Sequence, residues 1–146
     1  MTQLNELFDL SGKVALTTGS SIGMGRALAE GLAMAGAKVV ISSRKGDVCE
    51  QTALEINEMV GEERAIAIAC NIGYKEQLQA LVDETHSRLG LIDILINNAG
   101  VNPFHGPSSE IPDDAFDKTM NSNVKSNHWL VHMAVSYTHL TLPTKA

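Results

Sequence analysis

Four short apolar runs alternate with three stretches in which apolar residues recur every three or four positions. Val14, Ala15 and Leu16 form the first run, which ends at Thr17 and Thr18. Glycines follow, and then Met24, Ala27, Leu28, Gly31, Leu32 and Ala35 fall at helical spacing, with Gly36 as the stop. Val39 to Ile41 predicts a second strand, and Cys49, Thr52, Ala53, Ile56 and Val60 a second helix ended by Gly61. Ala65 to Ala69 predicts a third strand, Leu78, Leu81, Val82, Thr85 and Leu89 a third helix stopped near Gly90, and Ile92 to Ile96 a fourth strand. The runs are apolar at consecutive positions, hence on both faces, which marks parallel strands covered by helices on both sides. The order β-α-β-α-β-α-β therefore predicts an α/β fold with a doubly wound parallel sheet. Pro103, Gly106 and Pro107 then mark a loop. Pro112 with Asp113 and Asp114 predicts a helix start, with acids near its positive end. A further helix is expected from about Val124 to Ala134.

Composition narrows the class without changing this picture. The 146 residues suit one domain, and 44% hydrophobic with 19% charged residues is globular composition. A net charge of −6 argues against a surface for nucleic acid. Cys49 and Cys70 lack metal-ligand spacing and read as free thiols in a reducing compartment. The start, MTQLNELFDLSGK, has no basic segment followed by an apolar one, and no apolar run is long enough to span a membrane. A cytoplasmic protein without membrane, nucleic-acid or metal partners is expected.

The segment TGSSIGMG (Thr18 to Gly25) joins the first strand to the first helix. Gly19 would permit the sharp turn, Gly23 would let backbone approach a phosphate, and Gly25 would let the helix pack close to the sheet. The unpaired N–H groups at the helix start would face a pyrophosphate. This context makes the sheet Rossmann-type. The spacing Gly-x-x-x-Gly-x-Gly is neither the commoner Gly-x-Gly-x-x-Gly nor a Walker loop. A glycine-rich connection with no ligand is the bland alternative. At the end of the second strand, where an acid would accept from the ribose hydroxyls of NAD, stand Ser42, Ser43, Arg44 and Lys45. Arg44 offers a fork to a 2′-phosphate, Lys45 adds charge and Ser43 can donate, so NADP(H) is favoured over NAD(H). The alternative is that Arg44 and Lys45 are solvated loop charges.

With IDILINNAG (Ile92 to Gly100) and NSNVK (Asn121 to Lys125) in order behind the glycine turn, residues 8 to 134 resemble the short-chain dehydrogenase/reductase family. The resemblance implies that the glycine turn, including Ser21 and Ile22, lies along the pyrophosphate. It implies that Asn97, Asn98, Ala99 and Gly100 stabilise the central sheet and line the adenosine ribose. Asn71, at a position usually Asp, would accept from the adenine amino group, and Ile72 would offer its backbone N–H to the ring. Asn123 matches the Asn of the catalytic tetrad, which helps hold a proton-relay water. Ile22 stands where many NADP-dependent relatives carry a basic residue, which leaves that preference to Arg44 and Lys45. VVISSRK and VNPFHGP look like a subgroup of reductases acting on carbonyl compounds. A homodimer or homotetramer, with the helix from Val124 at its interface, is also implied.

The family's hydride transfer needs a Ser, then a Tyr as general acid/base with a Lys four residues on. The late Tyr137 is followed at that distance by Thr141, and Lys145 lies too far along. The expectation is a partial NAD(P)-binding domain over 1–134, truncated after the fourth strand and following helix. It would be inactive as it stands, and poorly folded because the fourth strand would keep an unpaired edge. Residues 135–146 break the preceding helical pattern, and VSYTHLTLPT resembles a translated transposase adapter from a sequencing library, so they are expected to be non-native. The parent protein is expected to interconvert an alcohol and a carbonyl by hydride transfer. The alternatives are a non-catalytic dinucleotide-binding or sensing module and a Rossmann-like methyltransferase. His128 and His132 read as helix-surface histidines, Cys70, Trp129 and Met133 as packing, and Asp93 as a paired or near-surface residue of the fourth strand.

Overall fold

The computed structural model describes residues 4–135. Strands β1 (Val14–Thr18), β2 (Lys38–Ser42), β3 (Ala65–Ala67) and β4 (Ile94–Ile96) form one parallel sheet in the order β3-β2-β1-β4. Helices α2 (Gly23–Met34), α3 (Gly46–Val60) and α4 (Lys75–Leu89) link successive strands. A short helix α1 (Leu4–Leu7) precedes β1, which the sequence pattern did not predict. After β4 come α5 (Asp113–Met120) and α6 (Ser126–Val135), joined by a π-helical turn over Asn121–Lys125. The chain builds the sheet outward from β1 to β3, then returns to lay β4 on the other side of β1. The connections leaving the C-terminal ends of β1 and β4 therefore lead to helices on opposite faces of the sheet, and such a switch point opens a crevice there.

Alternate residues of each central strand supply two cores. Ala15, Val39 and Ile41 pack with Ala29, Ala33 and Ala37 and with Cys49, Ala53 and Ile56 of α3. Leu16 and Val40 pack on the other face with Leu78, Leu81 and Val82 of α4 and with Leu130 and Met133 of α6. Consecutive apolar residues thus serve both faces, as the pattern predicts for a buried parallel strand. The small residues on the α2 side let that helix lie close to the sheet.

Three boundaries differ from the sequence expectation. The third strand is shorter, although Ile68 N–H still donates to Ile41 O (3.0 Å) and Cys70 N–H to Ser43 O (2.9 Å). The fourth strand starts at Ile94, and Asp93 before it meets β1 through its side chain as well as its backbone N–H. Asp93 N–H donates to Val14 O (2.9 Å), while its carboxylate accepts Val14 N–H (2.9 Å) and pairs with Lys13 Nζ (3.2 Å). The Val14 N–H above all, with Lys13, holds the Asp93 carboxyl below the usual carboxylate range. The two late helices form one continuous helical backbone through the π turn. There Ser126 N–H reaches back to Asn121 O, and the Ser126 hydroxyl and Asn127 Nδ2 cover the carbonyls of Ser122 and Asn123. The proposed adapter-derived segment lies outside the described residues, apart from Val135, which ends α6.

Candidate cofactor cleft

The turn after β1 is shaped by glycine and held by side-chain oxygens. Gly19 (φ +64°) and Gly23 (φ +60°) adopt the left-handed conformation that side chains disfavour. A Cβ on Gly19 would sit 2.9 Å from Ala99 Cα, so the loop after β4 presses directly on the turn. A Cβ on Gly25 would overlap the Gly19 carbonyl oxygen, so Gly25 packs against the turn itself rather than against the sheet. Above Gly23 the space is open. Helix α2 starts at Gly23 with no side-chain cap from Ile22, which leaves its first N–H groups available to an anion at the positive end of the helix.

Asn98 clamps this turn from β4. Its Nδ2 donates to the carbonyls of both Thr18 and Gly19 (3.0 Å each). Thr18 Oγ1 accepts from the backbone N–H of Asn98 (3.2 Å) and Ala99 (3.1 Å). The Asn98 amide hydrogens are thereby committed to the turn. Ser20 ties it to β2: its buried hydroxyl donates to Thr17 O (2.6 Å) and accepts from Ser42 N–H (2.9 Å). Thr52 of α3 donates to Ser21 O (3.0 Å).

A cleft of about 1160 Å³ opens at the C-terminal strand ends. Its floor is the turn (Gly19, Ser21, Ile22 and Gly25) with residues 98–101. Residues 42–45 and 71–74 form one side. Arg44 and Lys45 are exposed there, and among the described residues neither is paired with a carboxylate. Asn71 Oδ1 accepts Gly73 N–H (3.1 Å), which fixes the loop after β3. Burial pushes the Cys70 thiol up to about 11, consistent with a packing role. The opposite side is α5 and the π turn, through Asp114, Asp117, Lys118, Asn121 and Ser122.

Of the residues expected to bind cofactor, all but Gly23 and Asn97 line this cleft; Gly23 sits at the start of α2 beside it, and the Asn97 side-chain oxygen is buried instead of lining the cleft. Asn123 does not line it. Its Oδ1 accepts Val101 N–H (2.7 Å) and its Nδ2 donates to Val101 O (2.8 Å), which stitches the π turn to the loop after β4. Sequence reasoning missed Ser20 and Thr52 as braces of the turn, and the α5 side altogether. The latter carries a readable signal, since positions 114, 117, 118, 121 and 122 are polar residues at helical spacing. His128 and His132 are exposed, while Trp129 and Met133 pack on the α4 core. Among the described residues no group of His, Cys, Asp or Glu is placed to hold a metal. No described helix is long and apolar enough to cross a membrane.

Residues 13–140 match the family model for short chain dehydrogenase. The chain belongs to that family. It is 40% identical over 118 residues to human dehydrogenase/reductase SDR family member 4, covering 80% of this chain and 41% of that protein. A short-chain type dehydrogenase/reductase from Mycobacterium marinum superposes with a TM-score of 0.84 at 33% identity, over 92% of this chain and 53% of that one. A gluconate 5-dehydrogenase from Burkholderia cenocepacia, solved with NADP and tartrate, gives 0.81 at 32% identity, over 89% of this chain and 50% of that one. The chain thus spans about half the length of the relatives it matches.

Proposed function

We propose that these residues are the adenosine-diphosphate-binding part of an NADP(H)-preferring oxidoreductase that interconverts an alcohol and a carbonyl. The observation that carries the cofactor choice is the pair Arg44 and Lys45. They stand on the cleft at the end of β2, beside Ser43, with no acidic residue at that strand end. Arg44 would grip a 2′-phosphate through its planar fork, with Lys45 as a second charge. The uncapped first turn of α2 would take the pyrophosphate, and the loop carrying Asn71 and Ile72 would take the adenine. The nicotinamide, when bound, supplies or accepts the hydride. Asn123 would position the π turn beside the reaction centre, and a Tyr and Lys would manage the proton. The gluconate 5-dehydrogenase that binds NADP has the same fold over these residues, which supports the reading.

A small alcohol or carbonyl compound is the proposed substrate, and a homodimer or homotetramer the proposed assembly. The latter is supported by Phe116, Met120, Val124, Val131 and Val135, which are exposed along α5, the π turn and α6. A cytoplasmic setting suits the free thiols Cys49 and Cys70.

The test is to compare NADPH and NADH binding in the full-length protein. Arg44→Asp should weaken NADPH about tenfold to a hundredfold, the worth of a charge-assisted hydrogen-bonded contact, and leave NADH nearly unchanged. Equal affinities for the two cofactors, insensitive to Arg44→Asp, would remove the NADP(H) assignment.

A further inference from the structure

We infer that the thiol of Cys49 sets the Ser43 hydroxyl as a hydrogen-bond donor toward the cleft, which makes Cys49 a positioning residue for recognition of a 2′-phosphate. This rests on the NADP(H) reading above and adds a residue that does not itself touch the cofactor.

A serine hydroxyl has one hydrogen to donate and two lone pairs to receive. Ser43 Oγ accepts the Lys45 backbone N–H at 3.3 Å, which uses one lone pair. Cys49 Sγ lies 3.1 Å from the same oxygen. Cys49 is buried in the first turn of α3, its own N–H bonded to Lys45 O (3.1 Å), so its sulfur is fixed relative to this loop. The thiol hydrogen has two acceptors in reach, Ser43 Oγ and the Ser43 carbonyl oxygen at 3.9 Å, and the hydroxyl oxygen is much the nearer. When the thiol donates to it, both lone pairs of Ser43 are occupied from the protein side. What remains is the O–H, and Ser43 lines the cleft beside Arg44 and Lys45. The competing protein acceptor for that hydrogen is Lys45 O at 3.5 Å, the outer limit of a hydrogen bond. An anionic oxygen in the cleft would take it instead. In the reverse arrangement, with the hydroxyl donating to sulfur, a lone pair would face the cleft and repel a phosphate. A bound 2′-phosphate and the Cys49 thiol thus favour the same orientation.

The experiment measures binding of adenosine 2′,5′-bisphosphate and of adenosine 5′-monophosphate to the full-length protein by calorimetry. The two compounds differ only in the 2′-phosphate, so loss of core packing lowers both affinities and leaves their ratio intact. Cys49→Ala and the more volume-conserving Cys49→Val should each lower the ratio about fivefold, the effect of one hydrogen bond. Cys49→Ser, which keeps a donor, should hold it. In a Ser43→Ala background neither Cys49 variant should lower the ratio further, because the partner through which Cys49 acts is gone. A ratio unmoved by Cys49→Ala and Cys49→Val, or a drop that persists without the Ser43 hydroxyl, overturns the inference. If that happens while the unmutated protein still prefers the bisphosphate and Arg44→Asp abolishes the preference, the NADP(H) reading stands and only the role of Cys49 falls. No preference in the unmutated protein removes both.

Discussion

On the turn side of the cleft, Thr18, Ser20, Thr52 and Asn98 each bond a side-chain polar atom to backbone, and these contacts are buried or part-buried. The α5 side is different: Asp114, Asp117 and Lys118 are exposed, and that side is stitched to the floor by Asn123 and Val101. The first side has one shape that many bonds agree on. The second is a helix whose position depends on few. A side that binds phosphate through backbone N–H groups needs fixed geometry, since a backbone group has no rotamer with which to adjust. A side that meets ligand with long polar side chains does not. The difference predicts which substitutions destroy the cleft and which only loosen it.

The largest effect is expected at Gly25. Any side chain there overlaps the Gly19 carbonyl, a backbone atom inside a turn already pinned by Asn98 and Ser20. Gly25→Val should cost about 3 kcal/mol or more and abolish binding of adenosine nucleotides. Denaturant unfolding and calorimetry check both. A variant that keeps near-normal stability and binding would show the turn to be adjustable and erase the contrast between the two sides. Next comes Asn98→Ala, which strips the donor from two carbonyls at once. Unsatisfied, part-buried carbonyls put its cost at about 2–3 kcal/mol. Asn123→Ala removes a similar pair of part-buried bonds from the α5 side, but their partner Val101 is half-buried where Thr18 is buried, and the change should cost about 1–2 kcal/mol. Adenosine 5′-monophosphate binding should fall sharply in the first and change little in the second. Equal losses in stability and binding would mean that both sides are held alike.

Much of the turn side was legible in the sequence because its determinants are local. Glycines at 19, 23 and 25 between an apolar run and a helical pattern specify a strand-turn-helix unit, and Ser43, Arg44 and Lys45 follow directly from the end of β2. Ser20 and Thr52 were not legible. Their partners, Ser42 and Ser21, lie 22 and 31 residues away and meet them only once β2 and α3 have docked. A serine in a turn looks the same whether its hydroxyl braces a neighbouring strand or faces water. The π turn was hidden for another reason. NSNVK contains no proline or glycine to announce a break, and two separate helices were expected, the second starting at about Val124 inside this segment. The distortion instead comes from side chains that cover displaced carbonyls, Ser126 on Ser122 and Asn127 on Asn123. The polar stripe of α5 was visible in principle, but a polar helix face is usually just the solvated one. Only the sheet order, which brings α5 across the switch point, makes it part of a cleft.

The smallest predicted effect lies at the far end of the sheet and serves as a control for the cleft. Asp93 joins the starts of β1 and β4 through Val14 N–H and Lys13, remote from the cleft at the C-terminal strand ends. Its carboxyl is held below the ordinary range, chiefly by the Val14 N–H, so the folded state binds its proton more weakly than the unfolded chain does. The resulting stability is fully present above the unfolded value of about 3.9 and is lost as pH falls through the lower folded value. The side chain is 35% exposed, so solvent screening keeps the contribution near about 1 kcal/mol. Asp93→Asn should therefore lower stability by about that amount near neutral pH and by progressively less below about pH 4. Binding of adenosine 5′-monophosphate should be untouched. Denaturant melts of both proteins across this range decide the matter. A stability gap that stays constant into acid would show that the ionised carboxylate contributes nothing. A loss of nucleotide affinity would show that the two ends of the sheet are coupled, and that the rigidity of the turn depends on the anchoring of β4 as well as on the bonds made at the turn.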